Sequence, residues 1–202
     1  MEIPTQEQCF LLMCEMQMMD HIVAHSMQVC RVATFLAGHL DPQRDLLNHD
    51  LIRAAALLHD ITKTRSFKTE ENHALTGGQF VVEQGYPEVG ELVRQHVRLD
   101  EYRGPVTLGE AEIINYADKR VLHDRIVSLD KRLEYILEKY GKLPEHQERI
   151  HWLWGKTLVM EGEIFSELAV VPQDLNRLLN SEDRSADLHE YQQICKSALE
   201  GK

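Results

Sequence analysis

The stretch AAALLHDITK, residues 54–63, decides how this chain is read. It begins as an apolar helical run and ends by setting His59 beside Asp60. An ionised carboxylate is costly to bury without a partner. At a helix C-terminus it also opposes the macrodipole, which favours cations there. His59 does not solve the problem, because sequence neighbours on a helix point about 100° apart. Some other group must compensate Asp60, and a metal ion is the candidate.

Outward from this stretch, apolar residues recur at helical spacing and no segment alternates like a strand, so the chain is expected to be all-α. Residues 5–19 read as a Met-rich amphipathic helix and 20–40 as a second, with Asp20 as its N-cap and Asp41-Pro42 as its break. A third spans about 45–60, followed by a polar, partly basic loop at 62–72. A fourth runs from His73 to near Gly85, and Pro87 starts a fifth that reaches about Arg98. Residues 99–107 read as a loop. The longest periodic stretch, 109–140, stops at Gly141 as at a C′ glycine, and its heptad-like positions suit a long core helix or a homodimer seam, the former preferred. After Pro144 another helix carries the WLW of residues 152–154, and beyond Pro172 the chain turns polar. Residues 1–140 are thus expected to form a metal-binding helical domain with its core at about 20–125, and 141–202 a helical extension packed on it.

The formal net charge of -11 over 202 residues excludes general nucleic-acid binding and adhesion to acidic membranes, which need a basic surface. No apolar run approaches a membrane span of about 18 residues, and no signal segment follows Met1, so the cytoplasm is the expected location. Cys9, Cys14, Cys30 and Cys195 form no CxxC pair and no zinc-finger spacing. They are expected to be reduced, buried thiols, with no structural disulfide.

Polar side chains on the inward faces of these helices carry the functional signal. His25 lies in register with Val29, Val32 and Leu36, and His59 follows Ile52, Ala55 and Ala56. His96 follows Val89, Leu92 and Val93, while Asp118 sits among Ala111, Ile114 and Val121. His73 opens the fourth helix and shares a face with Gly77, where a missing side chain permits close approach. Any single one of these histidines reads as a satisfied core residue. Together, the imidazoles and the Asp60 and Asp118 carboxylates supply the donors that suit iron, manganese, cobalt, nickel or zinc, and a bound dication removes the objection to two buried acids. A buried His-Asp ion-pair network is the competing reading. Physics alone leaves the two level.

The order His25, His59-Asp60, Asp118, in the segments HIVAHSMQVCRVATFLA, AAALLHDITK, NHALTGGQFV, ELVRQHV and INYADKRV, resembles the HD-domain metal-dependent phosphohydrolases over about residues 20–125. HDITK with His73 and His96 further resembles the HDIG-type subgroup, whose members often hold two metals and include cyclic-dinucleotide phosphodiesterases and dinucleoside-polyphosphate hydrolases. The resemblance implies an all-α bundle. It makes His25, His59, Asp60 and Asp118 the ligands of one metal, with Asp60 as the bridge and His73 and His96 on a second. It implies one or two divalent transition metals per chain, iron or manganese favoured, with zinc, cobalt, nickel or magnesium as alternatives. Two-metal relatives often carry a histidine pair where this chain has His96-Val97, so the second site is expected to be weaker, open or empty. His21 is read as a surface or supporting residue.

The activity implied is hydrolysis of a phosphate ester or anhydride of a nucleotide or similar small molecule by metal-activated water, with Asp60 and Lys63 as catalytic residues. Lys63, in the HDxxK spacing, is placed to meet a phosphate oxygen. Arg65, Lys68, Arg94, Arg98, Lys119 and Arg120 are the other basic residues near these motifs, of which Arg94 and Arg98 are read as solvated. The GYP signature of cyclic di-GMP enzymes is absent, which disfavours that substrate. The alternatives are a catalytically silent metal- or nucleotide-binding regulatory module and, behind it, a di-iron oxygenase.

Overall fold

The computed structural model describes residues 2–40, 47–101, 108–179 and 185–200. Among the described residues the chain is all-α apart from one small hairpin. Helix α1 (Gln6–Glu15) starts where Thr5 and Gln8 form a reciprocal capping box, satisfying two amides that the first turn leaves unpaired. Helix α2 (Asp20–Leu40) runs as the sequence indicates. Asn48 caps α3 (His49–Leu58) by accepting from the Leu51 amide, and α3 ends just before His59 and Asp60. Asn72 caps α5 (His73–Glu83) through the Ala74 and Leu75 amides, and Pro87 occupies the first turn of α6 (Pro87–Gln95).

Two expectations fail locally. The segment expected to be a loop at 62–72 contains a short helix, α4 (Lys63–Thr69), which buries nothing of its own and stops where Glu70 turns left-handed at φ 57°. The single helix expected over 109–140 is two, α7 (Glu110–Lys119) and α8 (Leu129–Tyr140). Between them Val121–Leu122 (β1) and Arg125–Ile126 (β2) form an antiparallel hairpin with Val121 opposite Ile126. His123 at its tip is left-handed, φ 56°, and Ser128 restarts the helix by accepting from the Lys131 amide. The β-branched Val121, Ile126 and Val127 and the capping serine are the local reasons. The heptad pattern read over 109–140 is therefore not one continuous helical seam. Gly141 does end α8, but at φ -82°; it is needed because a Cβ there would meet the Leu137 carbonyl at 2.6 Å.

The core is the interdigitated faces of α1, α2, α3, α6 and α7, with Phe10, Met13, Leu36, Ile52, Leu58, Ile113 and Tyr116 fully enclosed. Helix α2 packs on α3 and α7, while α5 lies along α6 and α6 also packs on α3 and α7. The α5–α6 contact is close because Gly78 and Gly90 face one another; a Cβ on Gly90 would meet the Gly78 carbonyl at 2.6 Å. Helix α9 (Pro144–Ser166) crosses α7 and α8, burying Trp154 and leaving Trp152 exposed. Beyond Pro172, where the sequence only looks polar, α10 (Asp174–Leu179) touches α2 and α11 (Ser185–Glu200) folds back on α1. There the rings of Phe10 and Tyr191 meet edge-on at 5.7 Å. The Asp41-Pro42 break and most of the 99–107 loop lie outside the described residues.

The cysteine expectation is also corrected. Cys14 of α1 and Cys195 of α11 form a disulfide, with Cα atoms 5.5 Å apart and a sequence separation of 181. Cys9 and Cys30 remain free. No spacing rule could reveal a pair whose meeting depends on α11 returning to α1.

Two outcomes are expected. Gly90→Ala should cost about 1–3 kcal/mol by overpacking against Gly78, while Gly38→Ala, in open space on α2, should gain up to about 1 kcal/mol of helix propensity; urea unfolding of both checks this. Thiol titration in urea without reductant should find the two thiols of Cys9 and Cys30 rather than four, and Cys195→Ser should lower stability by about 2–4 kcal/mol because the closed loop is long.

Candidate metal centre

The inward polar side chains meet at one place, built largely from helix ends. His25 comes from the first half of α2, His59 and Asp60 follow α3, His73 starts α5, His96 caps α6 and Asp118 lies in the last turn of α7. His25 Nε2 stands 3.1 Å from Asp118 Oδ1, and His59 Nε2 lies 3.8 Å from the same oxygen and 3.7 Å from Asp60 Oδ2. The other oxygen of Asp60 faces His73 Nε2 at 3.2 Å, His96 Nε2 at 3.5 Å and Lys63 Nζ at 3.6 Å. The rings form a chain, His25 to His59 at 5.3 Å, His59 to His96 at 4.9 Å and His96 to His73 at 5.2 Å between centroids.

Backbone carbonyls aim three of these rings. Nδ1 of His25 pairs with the His123 carbonyl at 2.7 Å, Nδ1 of His59 with that of Ala56 at 2.8 Å, and Nδ1 of His96 with that of Val93 at 2.7 Å. In each case Nε2 is the nitrogen turned inward, and a proton on Nδ1 is the tautomer that a metal would require; in His25 that Nε2 also lies at hydrogen-bonding distance from Asp118 Oδ1, 3.1 Å. The left-handed backbone of His123 and the Val93 and Ala56 carbonyls of helix ends thereby act on the centre from outside it. Asn115 Nδ2 donates to the His96 carbonyl at 2.9 Å, and Thr62 Oγ1 donates to the His73 carbonyl at 2.9 Å.

The electrostatics agree with cation binding. Burial lowers the His59 pKa to about 4, against the pull of Asp60, so the ring is neutral near pH 7. Burial also lowers that of His73. For Asp60, burial alone would raise the pKa, but His59, His73, His96 and Lys63 outweigh it and hold the carboxyl well below the usual range. Asp118 is likewise held low, against burial, by His25, Arg132 and His59. Two acids held ionised thus lie beside a His59 ring held neutral.

The decisive observation concerns hydrogen bonds that are not made. His59 Nε2 and Asp60 Oδ1 are buried, and neither has a hydrogen-bond partner among the described residues. Nitrogens approach Asp60 Oδ1 within 3.2–3.6 Å, but not along directions that make a bond. Other buried side-chain atoms among the described residues also lack a partner, Ser26 Oγ and Trp154 Nε1 among them. His59 Nε2 and Asp60 Oδ1 stand out because they lie where the His and Asp side chains meet and one belongs to a charged group, for which the cost is highest, about 1–3 kcal/mol or more. The donor atoms of His25, His59 and Asp118, and those of His59, Asp60 and His96, each lie within 4.8 Å of one another, so either group can hold a metal ion. The residues fit a divalent metal with nitrogen and oxygen ligands.

His73 is held differently. Its Nε2 accepts from Lys63 Nζ at 2.9 Å, so the ammonium lies where a cation would engage both His73 and Asp60. Among the other basic candidates, Arg65 is paired with Glu71, and Arg94 with Glu91 and Asp100. Arg120 joins Glu161, the Val127 carbonyl and the Pro172 carbonyl, fastening α7 to the hairpin and to α9. Lys119 is buried and bonded to Asn115 Oδ1 at 2.7 Å, its pKa lowered by burial to about 8. It lies at a separate cleft with Val97, Arg98 and Trp152. Val97 is exposed, so nothing at that position stands in for a second histidine. His21 is exposed. Reading the sequence missed Arg132 of α8, whose guanidinium is 3.7 Å from Asp118; its helix was expected to be continuous with that of Asp118, which would have carried it elsewhere. His123 was missed because its carbonyl, not its side chain, does the work.

Residues 22–122 match the HD domain family. Among curated proteins, the chain is 38% identical over 75 residues to a ribonuclease Y of Rubrobacter xylanophilus, covering 37% of this chain and 13% of that protein. It is 23% identical over 122 residues to the ribonuclease Y of Fusobacterium nucleatum, covering 59% and 23% respectively. A tRNA (cytidine(56)-2'-O)-methyltransferase of Picrophilus torridus is 26% identical over 152 residues, covering 68% and 41%. The chain thus spans less than half the length of each of these relatives. No solved structure matches it significantly. Among the described residues no helix is long and apolar enough to cross a membrane. The match across half of the sequence, the all-α bundle and the His/Asp groups at its centre place the chain in the HD-domain family, within the superfamily of metal-dependent phosphohydrolases.

Proposed function

We propose that this protein hydrolyses a phosphate ester or anhydride of a nucleotide or similar small phosphorylated molecule, with divalent transition metal held by His25, His59, Asp60, His73, His96 and Asp118. The observation that carries this reading is the pair of buried, unpartnered atoms, His59 Nε2 and Asp60 Oδ1, at the meeting point of all the HD-type side chains. Two of the relatives are ribonucleases by name, which makes a phosphodiester the first bond to test. The net charge of -11 favours a small anion drawn into a local basic site over a long nucleic acid.

A bound dication supplies a water of lowered pKa and neutralises charge developing on phosphoryl oxygens. The chain's own residues do the rest. Backbone carbonyls at Nδ1 orient His25, His59 and His96 with Nε2 toward the centre, and at His25 a metal would take the place of the Nε2 contact to Asp118. Asp60 directs one oxygen toward His59 and the other toward His73 and His96, the disposition of a bridging carboxylate. Lys63 Nζ, beside Asp60 and His73, offers a point charge to a phosphate oxygen.

Protein purified without chelator should contain one or two iron or manganese ions per chain by plasma mass spectrometry and should cleave bis(p-nitrophenyl) phosphate when supplied with manganese. Asp60→Ala should lose the metal and lower hydrolysis by more than about 100-fold, the loss that removal of a mere supporting partner of a ligand can give; full activity in that variant is incompatible with the mechanism, and a metal-loaded but inert wild type points to a binding module. His73→Ala should lower metal content by about one ion while leaving the fold intact by circular dichroism, and unchanged metal content makes His73 structural.

A further inference from the structure

The side chain of Arg132 has a position that the fold does not require. It lies on α8, ten residues beyond the segment that matches the family, so it is a contribution of this chain's own downstream helix. Its side chain is 15% exposed, and its Nη2 is 3.7 Å from Asp118 Oδ1, an ion-pair distance too long for a hydrogen bond. Its Nε is buried and has no partner among the described residues. The guanidinium lies over the ring of Tyr135, 5.7 Å from the centroid, and Tyr135 is in turn met edge-on by His123 at 5.6 Å. A planar fork of donors is therefore steadied at the edge of the centre without being saturated.

The charges show what it is waiting for. Lys63 is 3.6 Å from Asp60 and Arg132 is 3.7 Å from Asp118, so each buried acid has one lysine or arginine beside it to offset its charge. Every dication that takes the carboxylates adds two uncompensated positive charges and releases Lys63 and Arg132 from their counter-ions. A ligand that restores balance must carry at least two negative charges, and a guanidinium reads phosphate oxygens in pairs. We infer that Arg132 binds a phosphoryl group of the substrate on the Asp118 side of the centre, opposite Lys63, and so selects polyanionic phosphates such as a diphosphate over neutral or singly charged esters. The inference rests on the hydrolase reading for the word substrate, but not for the anion site itself.

The test is calorimetric titration of inorganic pyrophosphate into the full chain loaded with manganese, with metal content and melting temperature recorded for each variant. Arg132→Gln should weaken pyrophosphate binding by about 10- to 100-fold, the loss of charge-assisted hydrogen bonds. Arg132→Lys, which keeps the charge without the fork, should fall between it and the wild type and carries the comparison if the glutamine variant does not fold. Manganese content should not decrease, because removing a cation beside Asp118 cannot weaken a dication there electrostatically. Equal pyrophosphate affinity in wild type and variants, or no pyrophosphate binding by the loaded wild type, overturns the inference. So does a fall in melting temperature with unchanged anion affinity, which makes Arg132 only a counter-ion of Asp118. Turnover of bis(p-nitrophenyl) phosphate is scored separately. Turnover with Arg132-independent pyrophosphate binding leaves the hydrolase and removes this site, whereas Arg132-dependent binding without turnover leaves the anion site and removes the hydrolase.

Discussion

A buried carboxylate without a hydrogen bond is the constraint around which the centre is arranged. Asp60 sits just past the end of α3, and three other helices deliver groups to it: α4 begins with Lys63, α5 begins with His73 and α6 ends at His96. The contact between Gly78 and Gly90 belongs to the same arrangement. Without it α5 and α6 would stand farther apart, and the His73 and His96 rings could not approach to 5.2 Å. Helix termini are suited to this work because a residue just outside the helix is free to choose its direction, while the helix itself fixes where the residue stands.

Fixing the direction has a cost that falls outside the centre. His123 is held in the left-handed region, which for a residue with a Cβ costs about 1–2 kcal/mol. In return its carbonyl lies 2.7 Å from His25 Nδ1 and determines which nitrogen of that ring faces inward. The hairpin that interrupts α7 and α8 therefore has a functional reason as well as a conformational one. It places a carbonyl that a continuous helix would have spent on its own hydrogen bonds, and it turns α8 so that Arg132 returns toward Asp118. Strain of this kind is expected where geometry at a site outweighs local preference.

The sequence made the candidate ligands legible because each breaks a helical apolar pattern from the inside. His25, His96 and Asp118 were visible from periodicity, Asp60 from the cost of burying it, and the HD-type order joined them. What stayed hidden was whatever depended on chain direction. The end of α7 carries no proline or glycine, so residues 109–140 looked like one helix, and the hairpin, His123 and Arg132 were lost together. The Cys14–Cys195 pair was hidden for a similar reason, since it reflects where α11 returns to the bundle and not any local spacing. Lys119 and Arg120 were candidates only because they adjoin Asp118, and helix geometry turns both toward Asn115 and Glu161 instead.

Charge also dictates an order of events. Lys63 and Arg132 are engaged with Asp60 and Asp118, and a protein of formal charge -11 surrounds them, so a phosphate approaching the site meets two ionised acids whose cations are already committed. Those acids remain ionised through the neutral range because their neighbours hold both carboxyls well below the usual values. Protonation therefore cannot relieve the repulsion at the pH where the enzyme would work. Only a cation that takes the carboxylates can reverse the sign of the centre, and doing so frees the two side chains that then face the anion. On the proposed reading, metal binding would therefore precede substrate binding for an electrostatic reason, the acids that repel a phosphate becoming, once they hold a cation, the groups that let the centre attract it.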